Sequence, residues 1–176
     1  MKCKELGIVG AFVLEEPTFQ DNRGAFQLIW DAENFYQAGI VFEPSSACQS
    51  HNDKSGTLRG MHFQKPPYAQ AKVVSCVAGA VWDVIVDLRQ DSPSYLRWAA
   101  TELSESNGAA VFIPRGCAHG FLTLQDNSTV TYLIDGAYHP ASARIVRWND
   151  PLIGIPWSKT DPIISEQDRL APGHQK

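Results

Sequence analysis

Apolar and polar residues alternate with a period of two in several short segments of this chain, which is the pattern of half-buried β-strands. Two such segments, 72–77 and 82–88, flank Ala78-Gly79-Ala80, and we predict that they form a β-hairpin around this turn. Segments 109–113 and 129–134 are further predicted strands. Many short strands at regular spacing are typical of a β-sandwich or a β-barrel.

One segment carries the signals of a helix instead. Asp31 can cap its N-terminus, Phe35 can pack its apolar side, and Gly39 marks its end, so we predict a helix from Asp31 to Ala38. The 11 prolines and 13 glycines interrupt the other apolar segments, and sustained helical periodicity is scarce. The prediction is therefore an all-β fold with a few short helices, in one domain that covers residues 1–176.

Composition and charge narrow the class of protein. The 176 residues are 44% hydrophobic and 19% charged, as in globular domains. A net charge of -4 without a local Lys/Arg run argues against binding nucleic acid or an anionic membrane surface. The apolar stretch 7–14 is too short to cross a bilayer and lacks a signal-peptide cleavage site. We expect a cytoplasmic protein with reduced cysteines, of which Cys76 and Cys117 are buried.

Three chemically reactive side chains fall on predicted strand positions that face inward. Residues of equal parity share one face of a strand, which places Lys72 and Tyr132 on apolar faces and His62 opposite Met61 and Phe63. Burying such a trio costs roughly several kcal/mol unless partners or a ligand satisfy it, so a shared site in the barrel interior is one interpretation. The simpler alternative is a core histidine, a lysine that reaches the rim and a core tyrosine bonded to backbone.

Other kinds of site have less support in the sequence. A metal-binding cupin needs three or more convergent ligands, often His-x-His with a carboxylate, whereas segment 60–64 offers His62 alone. The chain contains no Gly-x-Gly-x-x-Gly motif, P-loop or Gly-x-Ser-x-Gly elbow, so we expect neither a metal, a redox cofactor nor a serine nucleophile. Segment 114–120 adds His119 between two glycines, where it can serve a turn or a site.

Motifs along nearly the whole chain resemble the nucleotide-sugar 3,5-epimerase family, typified by dTDP-4-dehydrorhamnose 3,5-epimerase. They occur in the family's order, which is far more specific than any single motif. The matching segments are Asp21–Phe26, Gly56–Gln64, Ala69–Lys72, Asp83–Asp87, Asp91–Pro93, Ile113–Phe121, Tyr132, Arg147–Pro151 and Ser165–Asp168.

This resemblance implies a fold, a reaction and an assembly. The fold is a cupin-type jelly roll, usually in a homodimer. The reaction is epimerisation at carbon 3, carbon 5 or both of a nucleotide-linked 4-keto-6-deoxyhexose, for deoxysugar and polysaccharide biosynthesis. The family acts without a metal or organic cofactor, and the nucleotide carrier here can be dTDP, CDP or GDP.

The resemblance also implies roles for individual residues. His62 matches the general base, Asp168 the carboxylate that pairs with it, and Tyr132 the general acid on the opposite face. Lys72 matches the residue near the keto oxygen of the sugar, and His119 lies beside the same pocket. The remaining substrate-binding matches are Arg23 and Arg59 for the nucleotide diphosphate or sugar, Tyr138 for the sugar pocket, and Phe26, Ser50 and Asn52.

Two of these assignments depend on local geometry. Strict alternation places Arg59 opposite His62, so both reach one ligand only if the strand has a bulge or twist near Gly60. Ser165-x-x-Asp168 is also close to a capping box, which would make Asp168 a helix-start residue rather than a catalytic one.

The chain departs from the family pattern in two places. Ser46 and Cys48 stand where the family often has Gln-x-Asn, and Gln27 and Leu28 stand where a charged residue is common. Both regions lie near the ligand in the family, so these departures bear on the carrier and the orientation of the sugar rather than on proton chemistry. They also motivate a second hypothesis, a non-catalytic cupin that binds a nucleotide sugar and assists a partner enzyme.

Overall fold

The computed structural model describes residues 1–174, which form fourteen strands and two short α-helices. In chain order the strands are β1 (Lys2–Glu5), β2 (Phe12–Glu15), β3 (Thr18–Asp21), β4 (Gly24–Gln27), β5 (Pro44–Asn52), β6 (Thr57–Gln64), β7 (Lys72–Ala78), β8 (Ala80–Asp87), β9 (Trp98–Ser104), β10 (Ala110–Ile113), β11 (Cys117–Thr123), β12 (Ser128–Asp135), β13 (Ala143–Ile145) and β14 (Ile163–Ile164). The helices are α1 (Ala32–Gln37) and α2 (Glu166–Arg169).

Twelve of the strands form two facing sheets. The first sheet has the order β1-β2-β10-β7-β12-β5 and is antiparallel throughout. The second has the order β13-β6-β11-β8-β9, and β14 runs parallel to the start of β6. Strands β3 and β4 form a separate two-stranded hairpin. This jelly-roll sandwich confirms the predicted all-β fold with a few short helices.

The main core lies between the two sheets. Cys76 and Cys117 are both buried there, as predicted, and Tyr132 packs against the same cluster from β12. The other main buried members are Val74, Val111, Ile113 and Val130 from the first sheet and Val81, Ile85, Leu103 and Phe121 from the second. Since each of these is an alternate residue of its strand, the parity rule identifies the interior faces.

The hairpin predicted between segments 72–77 and 82–88 is wrong. Strand β7 lies in the first sheet between β10 and β12, whereas β8 lies in the second sheet between β11 and β9. Gly79, with φ +71°, passes the chain from one sheet to the other, and a Cβ there would lie 2.5 Å from Ser128 Oγ. Alternation shows which residues of a strand share a face. The same alternation occurs whether a turn joins two strands of one sheet or passes the chain from one sheet to the other.

The predicted helix is confirmed at α1. The Asp31 carboxylate accepts a hydrogen bond from the backbone N–H of Asn34 (2.9 Å), and Gly39 follows the helix with φ +72°. Phe35 is 2% exposed and packs against Phe42 and Phe112 on the outer face of the first sheet. Burying a phenylalanine contributes about 2 kcal/mol, which anchors this short helix.

A bulge between β6 and β11 sets the direction of the side chains on β6. His62 pairs with His119 and Arg59 pairs with Phe121, so two residues of β6 oppose Gly120 alone. Arg59 and His62, although three residues apart, therefore face the same interior, which confirms the irregularity predicted near Gly60. Gly60 has φ +138°, and a Cβ on it would lie 2.6 Å from the Cα of Gly120, so the bulge requires glycine there.

None of the helices in residues 1–174 has the length and apolar character needed to cross a membrane.

Candidate active site

Polar side chains from both sheets meet at one end of the sandwich interior. His119 on β11 and Tyr132 on β12 face each other across the sheets, with ring centroids 6.1 Å apart at an interplanar angle of 76°. His62 is the direct cross-strand partner of His119 on β6. His62 and Tyr132 therefore border one interior from opposite sheets.

His62 is held by Asp168. Its Nε2 lies 2.8 Å from Asp168 Oδ1, while Asp168 Oδ2 accepts a hydrogen bond from the backbone N–H of Gly60 (3.1 Å). Burial raises the pKa of the Asp168 carboxyl, but the hydrogen bonds that it accepts from His62 and Gly60 and the positive charge of Arg59 outweigh burial, so the pKa lies below its ordinary value. An ionised carboxylate requires Nε2 to be the protonated nitrogen, which leaves Nδ1 with the free lone pair.

The two interpretations of Asp168 apply to different atoms of the residue. Ser165 is the N-cap of α2, and its hydroxyl accepts a hydrogen bond from the backbone N–H of Asp168 (3.1 Å). The Asp168 carboxylate binds His62 and Gly60 instead of completing a capping box. Pairing of β14 with β6 places α2 beside Gly60, so the cap positions the residue and the carboxylate positions His62.

Tyr132 presents a protonated hydroxyl to the same interior. Its Oη lies 3.1 Å from Ser50 Oγ on the neighbouring strand β5. Burial raises the pKa of Tyr132 to about 12, although the Ser50 hydrogen bond and the charge of Arg59 act in the opposite direction. The phenol is therefore fully protonated near neutral pH, as a proton donor must be.

Lys72 reaches this interior from β7, on the face that also carries Val74 and Cys76 of the main core. Its ammonium makes no salt bridge or hydrogen bond to any other residue in the described part of the chain. Burial lowers the pKa of Lys72 below its ordinary value, and the negative charge of Asp83 offsets only part of this effect. An unpaired, desolvated cation stabilises any negative charge that develops on a bound molecule nearby.

His119 and Asp83 form a second buried pair. His119 Nε2 lies 2.7 Å from Asp83 Oδ2, and the two side chains are 4% and 1% exposed. The other oxygen, Asp83 Oδ1, is buried and has no hydrogen-bond partner within residues 1–174. Asp83 is not among the predicted site residues, although a carboxylate in a strand that is apolar on both faces is a sequence signal for such a role.

Arg59 and Asn52 form a connected pair. Arg59 Nε donates to Asn52 Oδ1 (2.7 Å), and the Asn52 amide donates to the backbone oxygen of Ser128 (3.0 Å). Asn52 is only 2% exposed. The structure places Asn52 behind Arg59, where its side-chain oxygen holds the guanidinium, and its contact with substrate stays a prediction.

Three predicted substrate-binding residues lie outside this cluster. Arg23 sits at the turn of the β3–β4 hairpin, 85% exposed and bonded to Asp21, and Phe26 on β4 is 68% exposed. Neither bonds to or packs against the interior cluster in residues 1–174. Tyr138 is 70% exposed beside His139, whose backbone N–H donates to Gln64 Oε1 (2.7 Å). Gln64 shares a face of β6 with His62. Tyr138, next to the residue that binds Gln64, therefore lies at the rim of the interior that contains His62.

Two open grooves occur elsewhere on the surface. One of about 610 Å³ lies between the β3–β4 hairpin and the first sheet, and one of about 780 Å³ is bordered by Arg89 and Arg115. Neither is lined by His62, His119 or Tyr132. No three His, Cys, Asp or Glu side chains of residues 1–174 converge as ligands for a metal ion. The polar cluster between the sheets contains His62, Tyr132 and Lys72.

Comparison with known proteins gives a consistent result. The family model for dTDP-4-dehydrorhamnose 3,5-epimerase matches residues 5–176. The Sinorhizobium fredii dTDP-4-dehydrorhamnose 3,5-epimerase is 38% identical over 98% of this chain and 89% of its own. A Streptomyces niveus dTDP-4-dehydrorhamnose 3-epimerase is 37% identical over 97% of this chain and 83% of its own.

Solved structures show the same relationship. The Bacillus anthracis dTDP-4-dehydrorhamnose 3,5-epimerase with TDP and PPi bound has a TM-score of 0.95 and 38% identity, covering 98% of this chain and 99% of its own. ChmJ, a 3'-monoepimerase from Streptomyces bikiniensis, has a TM-score of 0.90 and 34% identity as a His→Asn and Tyr→Phe double mutant in complex with dTDP. The alignment with ChmJ covers 96% of this chain and 85% of the other.

Proposed function

The chain belongs to the dTDP-4-dehydrorhamnose 3,5-epimerase family, and we propose that its epimerase reaction is carried out by His62 and Tyr132 acting on opposite faces of the sugar. The observation that carries this proposal is their placement on facing sheets, joined through the His119–Tyr132 contact (ring centroids 6.1 Å apart). Inversion requires a proton to leave one face of a carbon and another to arrive on the opposite face. A base and an acid on opposite walls meet that requirement.

Proton abstraction is the role of His62. A C–H bond next to a ketone is acidic because the carbanion delocalises onto the ketone oxygen as an enolate. The free Nδ1 of a neutral imidazole suits this task because it can accept the proton directly. Asp168, 2.8 Å from Nε2, orients the ring and stabilises the imidazolium that forms. The ketone of the substrate serves as the electron sink, so this chemistry requires no organic cofactor.

Stabilisation of the enolate is the role of Lys72, with His119 beside it. A buried ammonium aimed at the ketone oxygen binds the enolate more strongly than the ketone, and one such donor is typically worth about 3 kcal/mol. Asp83 supplies the balancing charge, holding Nε2 of His119 and raising the pKa of Lys72. The imidazole and the ammonium are thereby kept in place before substrate arrives.

Asp83→Asn tests this electrostatic support. The amide can still accept a hydrogen bond from His119, but it carries no charge. The Asp83 charge raises the pKa of both Lys72 and Tyr132, and both groups must be protonated to act. As the pH rises, the variant should therefore lose activity at a lower pH than the wild-type enzyme does. We expect the alkaline limb of the kcat/KM profile to move down by about one pH unit, as for loss of a neighbouring charge.

Asp87→Asn is the matched control for this experiment. Asp87 is a fully buried carboxylate on the same strand, but it binds Arg89, Ser92 and Ser94 away from the site. Its replacement should lower the free energy of unfolding without moving the alkaline limb. An alkaline limb unchanged in Asp83→Asn would contradict the role assigned to that charge.

The substrate we propose is a dTDP-linked 4-keto-6-deoxyhexose. The Bacillus anthracis relative was solved with TDP bound and the ChmJ double mutant with dTDP. In this chain Arg59, held by Asn52, is the cation placed to meet a phosphate or the sugar. Cys48 and Ser46, which depart from the family pattern, are exposed on β5, and Cys48 is the direct cross-strand partner of Tyr132.

One assay identifies both the nucleotide carrier and the carbon atoms that are inverted. It uses dTDP-, CDP- and GDP-linked 4-keto-6-deoxyglucose in parallel, and the products are resolved by NMR. We expect turnover of the dTDP substrate, with inversion at carbon 3, carbon 5 or both. Turnover of the CDP or GDP substrate alone would overturn the proposed carrier while leaving the reaction intact. No turnover of any of the three would contradict the proposed substrate class.

We further propose that the active form is a homodimer. The β3–β4 hairpin exposes Phe19 (64%), Phe26 (68%) and Arg23, and strand β5 ends the first sheet with an unpaired edge. A second copy that covers these surfaces would bring Arg23 and Phe26 to a substrate site, which accounts for their distance from the interior of their own chain. Sedimentation equilibrium should give twice the chain mass of 19.4 kDa, and an active monomer would contradict this proposal.

A further inference from the structure

The motif Arg147–Pro151 takes no part in the proposed reaction, yet it contains a buried carboxylate. Asp150 is 3% exposed, and both of its carboxylate oxygens accept hydrogen bonds from backbone N–H groups. Oδ1 accepts from Leu152 (2.8 Å), and Oδ2 accepts from His174, in the segment 171–174 that we call the C-terminal strap. Burying a carboxylate is costly unless such bonds satisfy it, so Asp150 is a fixed anchor for the strap.

Further hydrogen bonds hold the strap. Arg147 donates to it twice, from its backbone N–H to the backbone oxygen of Pro172 (2.9 Å) and from Nε to the backbone oxygen of Ala171 (3.2 Å). Tyr95 Oη lies 2.8 Å from His174 Nε2. The strap is therefore bonded at its start to Arg147 and at its end to Tyr95 as well as to the anchor carboxylate.

The motif is itself fixed to β6 beside His62. Val146, immediately before the motif, exchanges two backbone hydrogen bonds with Met61 (3.0 and 3.2 Å). These bonds continue the pairing of β13 with β6, in which Ile145 lies opposite His62. Val146 and Met61 are buried in one packed cluster, so this connection is rigid. The motif is thus bonded at one end to the strand that carries His62 and at the other end to the strap.

The strap completes the support of α2, the helix that carries Asp168. Of the four residues of α2, Asp168 alone is buried, so no apolar side chain anchors the helix. A helix of one turn is not stable by itself in water. Its start is held by the Ser165 cap and β14, and its end runs into the strap, where Ala171 is 3% exposed. Contacts outside the helix therefore fix the position of Asp168.

We propose that Asp150 and Arg147 are positioning residues for the pair of His62 and Asp168, acting through the C-terminal strap. They hold the end of α2 against the strand that carries His62, and thereby keep the Asp168 carboxylate 2.8 Å from Nε2. This inference rests on the proposed role of His62 as the base. Neither Asp150 nor Arg147 exchanges a proton with the sugar.

The His62 ring depends on this support. Its side chain is 44% exposed, and Asp168 is its one hydrogen-bond partner in the described part of the chain. Hydrogen bonds are lost beyond about 3.5 Å, so a displacement of α2 by about 1 Å releases the ring. A released ring still accepts a proton when it faces the carbon, but it spends less time in that orientation. The expected defect is therefore in kcat rather than in the binding of substrate.

Asp150→Asn is the first test of this inference. The amide keeps the size of the side chain but presents its NH₂ group to one of the two backbone donors, so the anchor is weakened. We expect kcat to fall by about tenfold with KM within about twofold of wild type, since a misplacement of about 1 Å costs up to about 10²-fold. Tyr95→Phe removes only one hydroxyl, so it keeps the test available if Asp150→Asn is too unstable to purify, and kcat should fall by about threefold.

Two further measurements separate positioning from a general loss of structure. The proton NMR resonance of His62 Nε2–H moves downfield when this group donates to a carboxylate, and it should show a weaker bond in both variants while the methyl resonances of the core stay unchanged. A double-mutant cycle with Asp168→Asn should be strongly non-additive. Once that carboxylate is gone, adding Asp150→Asn should lower kcat by less than about twofold.

Asp31→Ala is the control, because Asp31 also accepts a hydrogen bond from a backbone N–H, at the cap of α1 outside the first sheet. It should lower Tm without changing kcat. An unchanged kcat in Asp150→Asn, a tenfold loss that persists in the Asp168→Asn background, or a raised KM alone would overturn the inference. His62→Ala separates it from the underlying assignment. Full exchange in that variant would remove the base itself, whereas loss of exchange there beside normal kcat in Asp150→Asn would remove only the positioning role.

Discussion

Replacement of His62 by alanine is expected to abolish both proton exchange and product formation. His119 on the same wall also has its Nε2 bound to a carboxylate, that of Asp83, but its side chain is only 4% exposed, whereas the His62 side chain is 44% exposed. Loss of a positioned general base typically costs 10²–10⁴ in rate, and we expect a fall of about 10³-fold or more. Deuterium uptake into a 4-keto sugar in heavy water, followed by NMR, measures this directly.

His51→Ala is the matched control for that variant. His51 lies on β5, more than half exposed, with its ring near Thr129 and Asp53 on the surface. Its loss should leave exchange and inversion unchanged. Substantial deuterium uptake by folded His62→Ala, checked by circular dichroism, would show that another group removes the proton.

Replacement of Tyr132 by phenylalanine is expected to separate exchange from inversion. The ring still packs against the main core, so the fold persists, but the hydroxyl that delivers a proton to the second face is gone. His62 can still remove a proton and return a solvent-derived one to the same face. We expect inverted product to fall by about 10²-fold or more while deuterium still enters the substrate.

Tyr36→Phe controls for the general effect of removing a phenol. Tyr36 is 79% exposed on α1, and its variant should match wild type in both measurements. Inversion at the wild-type rate in Tyr132→Phe would mean that another acid serves this face. Loss of exchange together with inversion would indicate that the hydroxyl organises the site instead of donating the proton.

Local features of the sequence could be interpreted correctly, whereas pairing between distant segments could not. The cap at Asp31 and the buried Phe35 define α1 within a few residues of chain. The link at Gly79 is equally short, but whether it joins two strands of one sheet or two sheets depends on β10, β11 and β12, which lie far along the sequence. A period of two contains no information about the partner strand.

The residues of the candidate site also divide into those that local sequence indicates and those that depend on contacts between distant segments. The need for Arg59 and His62 to share a face was enough to predict the bulge at Gly60. Asp83 was missed because β8 is apolar on both faces, so alternation does not indicate which face is the interior. The contact of Asp168 with His62 joins residues 106 apart in sequence, and only the resemblance to a family suggested it.

The origin of the hydrogen at each inverted carbon tests the roles of His62 and Tyr132 most directly. Wild-type enzyme should be run in heavy water on a protiated 4-keto sugar, and the product's C–H positions read by NMR and mass spectrometry. If His62 and Tyr132 act from opposite walls, every inverted carbon should carry one deuteron from solvent and none of its original hydrogen. Inverted product that retains the original hydrogen would mean that a single group carries the proton from face to face, and the arrangement of His62 opposite Tyr132 would not be the mechanism.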